Sequence, residues 1–396
     1  MRGKIEPVWI TGVGLVSCLG EGAEPHLAAL GAPGARPVVD EESFAPFPVH
    51  PTPALDLDRQ IPKRGDQRQM EPWQRLGTYA AGLAIDSADA RGLVSDMHLA
   101  VAAGGGERDS ALDEAVVSEL AALPPGRAGP LLNERLLSGL RPTLFLAQLS
   151  NLMAGNVSIV HGVTGSSRTF MGEEVAGADA VRIAAARLAE GRGGIALVGG
   201  AYVAGRWDML LIYSLSGLLR RGAWAPIAER VGAEGGGGMI LGGVGAFLVL
   251  ETRSHARARG ARGVAELAVV ATGSARRTGE DTAGASARAL AGNMRSLLRP
   301  GYAVVSGATG AAEPTAEEAG FLAELRDAGP AQGAVLHTAE AIGHSVEASF
   351  PANLALGALM LGRPDAPPQA LVTGFGAWRG EALALLEPVR EEGRRA

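Results

Sequence analysis

The chain has a single cysteine, Cys18, so no internal disulfide can form and nothing in it calls for an oxidising compartment. Positive charge is also scarce: 36 Lys+Arg stand against 42 Asp+Glu, a formal charge of -6. A nucleic-acid-binding face needs concentrated cations to neutralise phosphates, so this balance argues against one. No uninterrupted apolar run reaches membrane length. The longest, GGGGMILGGVGAFLVLE, is cut by glycines into two strand-sized pieces, and buried parallel strands read that way. MRGKIEPVWITGVGLVSCLG has basic residues before an apolar run but lacks a cleavage segment, and Pro7 and its glycines suit a first strand and turn. The expectation is a cytoplasmic protein with no membrane span and no nucleic-acid partner.

Aromatic residues are only 4% of the chain, whereas there are 57 glycines and abundant alanine. Such chains bring backbones close through small side chains and turn tightly where a Cβ would clash, although a GC-rich codon usage accounts for the same counts. The length suits one large or two related α/β units. Strands are expected at Val8 to Thr11, opening into a turn at Gly12 to Gly14, at His98 to Ala103, and at Ile195 to Val198, stopped by Gly199-Gly200. Two apolar pieces follow in 238–250, then strands at Ala268 to Ala271, Ala303 to Val305 and near Val335. Helical periods cover Gly22 to Leu30, Pro72 to Ser87, Asp109 to Ala122, Thr143 to Ala154, Thr252 to Arg262, Ala283 to Leu298, Glu317 to Leu325 and Pro351 to Leu361. Residues 40–70, rich in proline and charge, read as a surface excursion. This alternation implies parallel sheets covered by helices, in halves of 1–250 and 251–396.

Several stretches, in order, resemble the β-ketoacyl-acyl-carrier-protein synthases. VWITGVGLVSCLG is similar to that family's opening VVVTGxGxxxPxG, with Cys18 in the place of proline, so Cys18 is not a candidate nucleophile. NVSIVHGVTGSSRTFMGEEVAGADAV resembles the approach to its nucleophile elbow, and IALVGGA the strand after it. GMILGGVGAFLVLE with HARARGARGVAEL, then GHSVEASFPANLALG and TGFGAW, resemble GFVxGEGAGxLVLE, HAxARGAxIxAE, GHxxGAAG and FGFGGTN. The resemblance implies a thiolase-like α/β fold of two similar αβαβα halves in five layers. It also implies a dimer, no tightly bound cofactor, and an acyl pocket reached by the phosphopantetheine arm of acyl carrier protein.

Condensation in that family needs a thiolate to hold the acyl group and two imidazoles that donate hydrogen bonds as charge develops on the thioester oxygen. By resemblance, the nucleophile position is Glu174, the first histidine position Gly307 and the supporting lysine position Ala339. His344 is the retained histidine, and Gly243 replaces the glutamate of GEG. Thr373 stands for the gating phenylalanine, beside the retained Gly374, Phe375 and Gly376 of the substrate pocket. A carboxylate is a poor acceptor from a thioester, because the mixed anhydride lies higher in energy than the starting acyl group.

GEEVAGADA is similar to the AEQAGGxDA segment of chain length factors, the non-condensing subunits that pair with an active ketosynthase and shape its acyl tunnel. The expected function is therefore that of such a partner, in a heterodimer, in fatty-acid or polyketide-type synthesis. Two alternatives are a stand-alone malonyl- or acyl-ACP decarboxylase or thioesterase using Glu174 and His344, and a non-catalytic acyl-ACP or acyl-CoA binding protein. Arg253, Arg257 and Arg259, with Arg262 beyond, form a basic group that could dock an acidic carrier protein, or simply a solvated helix face. His161 and His337 have no spaced partners for a metal. Gly235 to Gly238 read as a mobile loop near the pocket mouth, since no P-loop order follows.

Overall fold

The computed structural model describes residues 6–30, 37–105, 110–139, 148–230 and 237–389. Ten strands form the frame. Five precede residue 253: β1 Val8–Ser17, β2 His98–Ala102, β3 Ser167–Phe170, β4 Ile195–Tyr202 and β5 Val244–Thr252. Five follow: β6 Ala265–Gly273, β7 Tyr302–Ser306, β8 Gln332–His337, β9 Ala370–Phe375 and β10 Glu381–Glu387. They hydrogen-bond in the order β8-β7-β9-β10-β6-β1-β5-β4-β2-β3. Counting outward from the centre, each half runs first, fifth, fourth, second, third. The pairings also match, antiparallel twice and then parallel twice, on both sides. At the centre of the sheet the halves are joined where Val8 to Ile10 pair with Leu267 to Ala265. Residue 250 lies inside β5, so the second unit begins with β6, after the helix that follows β5.

Both faces of the inner strands are covered, which is why they read as continuous apolar runs, whereas the edge strands β3 and β8 are partly exposed. Along β5, Ala246, Leu248 and Leu250 face the middle of the molecule, while Phe247 and Val249 face outward under α1, Pro72–Ser87, and α2, Asn151–His161. Along β10, Ala382, Ala384 and Leu386 face the middle, and Leu383 and Leu385 pack under α5, Ala283–Ala291, and α6, Ala312–Ala328. The middle layer is α3, Glu173–Ala189, with α7, Ser349–Leu361, and the remaining labelled helix, α4, is Arg253–Ala258. Helix, sheet, helix, sheet, helix is the five-layered arrangement.

Four glycines expected to break strands lie inside them. A Cβ on Gly14 would sit 2.0 Å from the Ala80 carbonyl oxygen, and one on Gly200 2.5 Å from that of Ala102. Gly12 and Gly199 are equally tight against Ala84 and Ala246. Their role is close approach of helix or neighbouring strand, so β1 and β4 run through them. Helix α4 is shorter than 252–262, and the 283–298 helix divides at Gly292 into α5 and a 3-10 turn, Arg295–Leu297. Thr143 to Phe145 and on to 147 lie outside the described residues, as do Gly235 and Gly236. Gly237 and Gly238 are packed against the Leu219 and Gly310 carbonyls, not loosely placed. Pro125–Gly139 forms a helix that periodicity did not single out. The 40–70 excursion is largely exposed but carries a buried two-residue strand, Val49–His50, paired in parallel with Leu241–Gly242. No helix among the described residues is long and apolar enough to cross a membrane.

Candidate active site

The substituted residues converge where the parallel strands end. Strand β7 delivers Gly307 just past Ser306, and β9 carries Thr373 to Phe375. Two consecutive left-handed residues, Gly172 (φ 122°) and Glu173 (φ 46°), turn the chain sharply into α3 and leave Glu174 in its first turn. A non-glycine residue in that region is strained, and strain of this kind collects at functional elbows. Carboxylates at 173 and 174 complement the unpaired backbone N–H groups of the helix start.

Glu174 and His344 form a sealed pair. His344 Nε2 lies 2.8 Å from Glu174 Oε1, and the Ala377 N–H donates to the same oxygen at 3.1 Å. Both side chains are buried, and Glu174 Oε2 has no hydrogen-bond partner among the described residues. Burial alone would raise the Glu174 carboxyl. The hydrogen bond and charge of His344, with the backbone N–H groups, outweigh it and hold the group below the ordinary carboxylate value. On its other side, His344 Nδ1 lies 3.3 Å from Ser349 Oγ, and the His344 N–H donates to the Ile240 carbonyl, pinning the loop.

The space around this pair is small. Glu174, Gly307, His344, Phe350, Asn353 and Phe375 line a cavity of about 10 Å³, and another of about 10 Å³ lies between Gly307, Ala339 and His344. Each has room for roughly one water at most. Gly307 is closed in by backbone: a Cβ there would be 2.4 Å from the Thr373 carbonyl oxygen. Ala339 is buried in an apolar cluster with Ile227 and Ala308. Thr373 is fully buried, donates to Glu318 Oε1 and accepts from the Gly307 N–H at 2.8 Å. Glu318 also accepts from Ser306 Oγ, and burial pushes its carboxyl up to about 7. Phe375 packs on Phe321, and Gly376 lies close against the Arg379 carbonyl.

Sequence reasoning missed Glu347. Its carboxylate rests on Gly104 at the end of β2, and burial, followed by the nearby negative charge of Glu174, pushes it up to about 7. Tyr213, stacked on Trp378 at 4.8 Å, is likewise raised, first by burial and then by Glu174. The signal available in the sequence was an acidic residue three positions after His344, the only one between Ala341 and Leu361.

The basic group is not at this site. Arg253, Arg257 and Arg259 follow the end of β5, which pairs with the beginning of β4, whereas Glu174, Gly307 and Thr373 lie at the opposite ends of the parallel strands. Arg259 is bound to the fully buried Glu251 at 2.6 and 2.9 Å, and Arg257 lies over the Trp9 ring at 5.5 Å. Arg259 is therefore tied into the fold, and the three do not form one open patch. His161 is buried, its Nε2 2.8 Å from the Thr78 carbonyl, and His337 lies 3.1 Å from Ser306 Oγ.

Known proteins share this architecture. No curated protein matches the sequence. Among solved structures, "the ishigamide ketosynthase/chain length factor" is 20% identical with a TM-score of 0.74, over 97% of this chain and 100% of that one. A β-ketoacyl synthase from Burkholderia phymatum STM815 is 19% identical with a TM-score of 0.76, over 97% and 100%. The AntDE:AntF complex, a type II PKS acyl-carrier protein with its ketosynthase, is 16% identical with a TM-score of 0.74, over 98% and 100%. At these identities the likeness is one of fold. The family described as β-ketoacyl synthase, N-terminal domain, matches residues 48–256, more than half of the chain, on the strands and elbow that carry Glu174. The chain therefore belongs to the β-ketoacyl synthase family.

Proposed function

We propose that this protein is a non-condensing member of its family that pairs with an active ketosynthase, as chain length factors do, and works on chains presented by acyl carrier protein. The observation that carries this reading is the Glu174–His344 pair, 2.8 Å apart and buried where the nucleophile and its histidine would act. A carboxylate held ionised by an imidazole is neither a thiolate nor a free hydrogen-bond donor toward a thioester oxygen. The missing first histidine cannot be supplied by a neighbour, because Gly307 is closed in by backbone.

The edge strand β3 ends the sheet on one side, and Ile159 and Met171, 71% and 67% exposed, leave apolar surface near it. An exposed edge with apolar surroundings is a ready site for a second subunit. Two of the structural neighbours are described as a ketosynthase/chain length factor and as a ketosynthase with its carrier protein, which supports the same partners here. Stand-alone decarboxylation or hydrolysis, and acyl storage, fit less well with cavities of about 10 Å³.

Co-expression with an intact ketosynthase from the same source, followed by native mass measurement and product analysis, tests the proposal. The expected result is a one-to-one heterodimer whose product length changes when this chain is omitted. A homodimer alone, with no change in the ketosynthase products, overturns it.

A further inference from the structure

A second polar site lies at the other end of α3. Arg187, near the helix end, is thirteen residues beyond Glu174, about 20 Å along the axis. Strands β2 and β3 pair in parallel with Ala100 opposite Arg168 and Ala102 opposite Phe170. Alternation puts His98, Ala100, Arg168 and Phe170 on the face toward α3, where Ile183, Ala184 and Arg187 cover them. Between them is a cleft of about 20 Å³, lined also by Ser166.

Its polar groups are tied in a chain. The Arg192 carbonyl accepts from His98 Nε2 at 2.8 Å, which leaves Nδ1 to accept from the Ser166 hydroxyl at 2.7 Å. Arg187 Nη2 then donates to Ser166 Oγ at 3.4 Å, which aims the guanidinium into the cleft. The turn around the ring is shaped to it: Gly193 has φ 117°, and a Cβ there would lie 2.3 Å from His98 Nε2. Neither Arg168 nor Arg187 is in an ion pair among the described residues, and no Asp or Glu lines the cleft. Arg168 and Arg187 both line the cleft and no carboxylate does, so two positive charges border it unneutralised.

We propose that this cleft binds the phosphate group of a phosphate monoester, or free phosphate, through the guanidinium forks of Arg168 and Arg187. The fork matches phosphate oxygens in pairs, and two positive charges balance a dianion where a carboxylate would leave one unmatched. The cleft itself has room for about one or two waters, so the phosphate sits at its mouth between the two guanidinium groups and an ester's remainder lies outside. Ser166 and His98 are positioning residues that hold Arg187. Arg168 lies on β3, the edge named above for a second subunit, but its side chain faces α3, so binding is measured on the chain without a partner.

Isothermal titration of the full chain with inorganic phosphate and with glycerol phosphate, at fixed ionic strength and with acetate as the carboxylate control, tests it. Arg168→Gln and Arg187→Gln are each expected to weaken binding tenfold or more, Arg187→Lys to weaken it less, and Arg253→Gln, remote from the cleft, to leave it unchanged. Ser166→Ala, which keeps both charges, is expected to weaken it severalfold by freeing Arg187. Tighter binding of the ester identifies an esterified ligand; equal binding identifies phosphate itself. Circular dichroism distinguishes loss of binding from loss of fold in each variant. No phosphate binding by the folded parent, equal binding by the folded Arg168→Gln and Arg187→Gln variants, or equal binding of acetate overturns the proposal.

Discussion

His344 Nε2 and Glu174 Oε1, 2.8 Å apart and 170 residues apart in sequence, join the two halves of the molecule at the ends of their strands. The contact is both electrostatic and structural, since Glu174 also takes the Ala377 N–H. Removing one partner of a buried pair leaves the other unsatisfied, at a cost of about 3 kcal/mol or more. Glu174→Ala is expected to lose that much in urea denaturation. Glu174→Gln, which keeps an acceptor for His344 and for Ala377, should lose about 1 kcal/mol or less. The double variant Glu174→Ala/His344→Ala should lose less than the sum of the single changes. A loss below about 1 kcal/mol for Glu174→Ala would mean that the pair contributes little to the fold.

On the proposed reading, a cysteine at 174 with a histidine at 307 should not give condensation. At Gly307 the nearest atoms to a new Cβ are backbone, the Thr373 carbonyl oxygen at 2.4 Å and Gly374 Cα at 2.7 Å. Backbone in a sheet end cannot step aside as a long side chain can, and overpacking of this kind costs about 1–3 kcal/mol or more. Gly307→His is expected to unfold at lower urea than the parent, and Glu174→Cys/Gly307→His to form no product from acyl and malonyl carrier substrates. A stable double variant that condenses would show that the closure is easily reversed.

Two buried acids give the protein an unusual pH response. Glu318 and Glu347 are each raised by burial to about 7, from 4.5 in the unfolded chain. A raised group contributes stability that is fully present below the unfolded value and is lost as pH climbs toward the folded one. The slope is about 1.4 kcal/mol per pH unit for each group. Stability should therefore fall between about pH 4.5 and 7, while Glu174, shifted the other way, destabilises only as pH falls through its own depressed value. Glu347→Gln is expected to match the parent near pH 4.5 and to exceed it by up to about 3 kcal/mol at pH 7. Denaturant titrations at pH 5, 6 and 7 check this; parallel curves for parent and variant would contradict it.

The doubled fold was legible because period and burial agree: strands covered on both faces must read as apolar runs, as β5 does from Val244 to Thr252. Glycine was the misleading signal. In β1 and β4 it marks where a helix or strand presses on a strand, and a single sequence looks the same for that as for a turn. Glu174, Gly307 and His344, singled out by motif along the chain, lie together in the structure. That Gly307 is filled by the Thr373 and Gly374 backbone, and that Glu347 leans on Gly104, depends on long-range packing that no local pattern carries. The cleft at Arg168 and Arg187 was hidden for the same reason, since it needs two strands in register and a helix across them.

Arg259 is the case where charge patterning and structure separate most clearly, and a pair of measurements resolves it. Its guanidinium holds both oxygens of Glu251, which also accepts from Thr11 Oγ1 and lies 2.7 Å from His255 Nδ1. Glu251 is fully buried; burial would raise its carboxyl, but Arg259, then Thr11 and His255, outweigh that and hold it low. Arg259→Ala strips the strongest donor from a buried carboxylate and should cost about 3 kcal/mol in denaturant titration. Arg253 is half-buried and Arg257 exposed, so Arg253→Ala and Arg257→Ala are each expected to cost less, about 1 kcal/mol. Affinity for acyl carrier protein, measured on the same variants, should be unchanged by either, because both lie at the end of the sheet away from Glu174. A tenfold loss of carrier affinity in Arg253→Ala or Arg257→Ala, with stability intact, would place the docking face there after all.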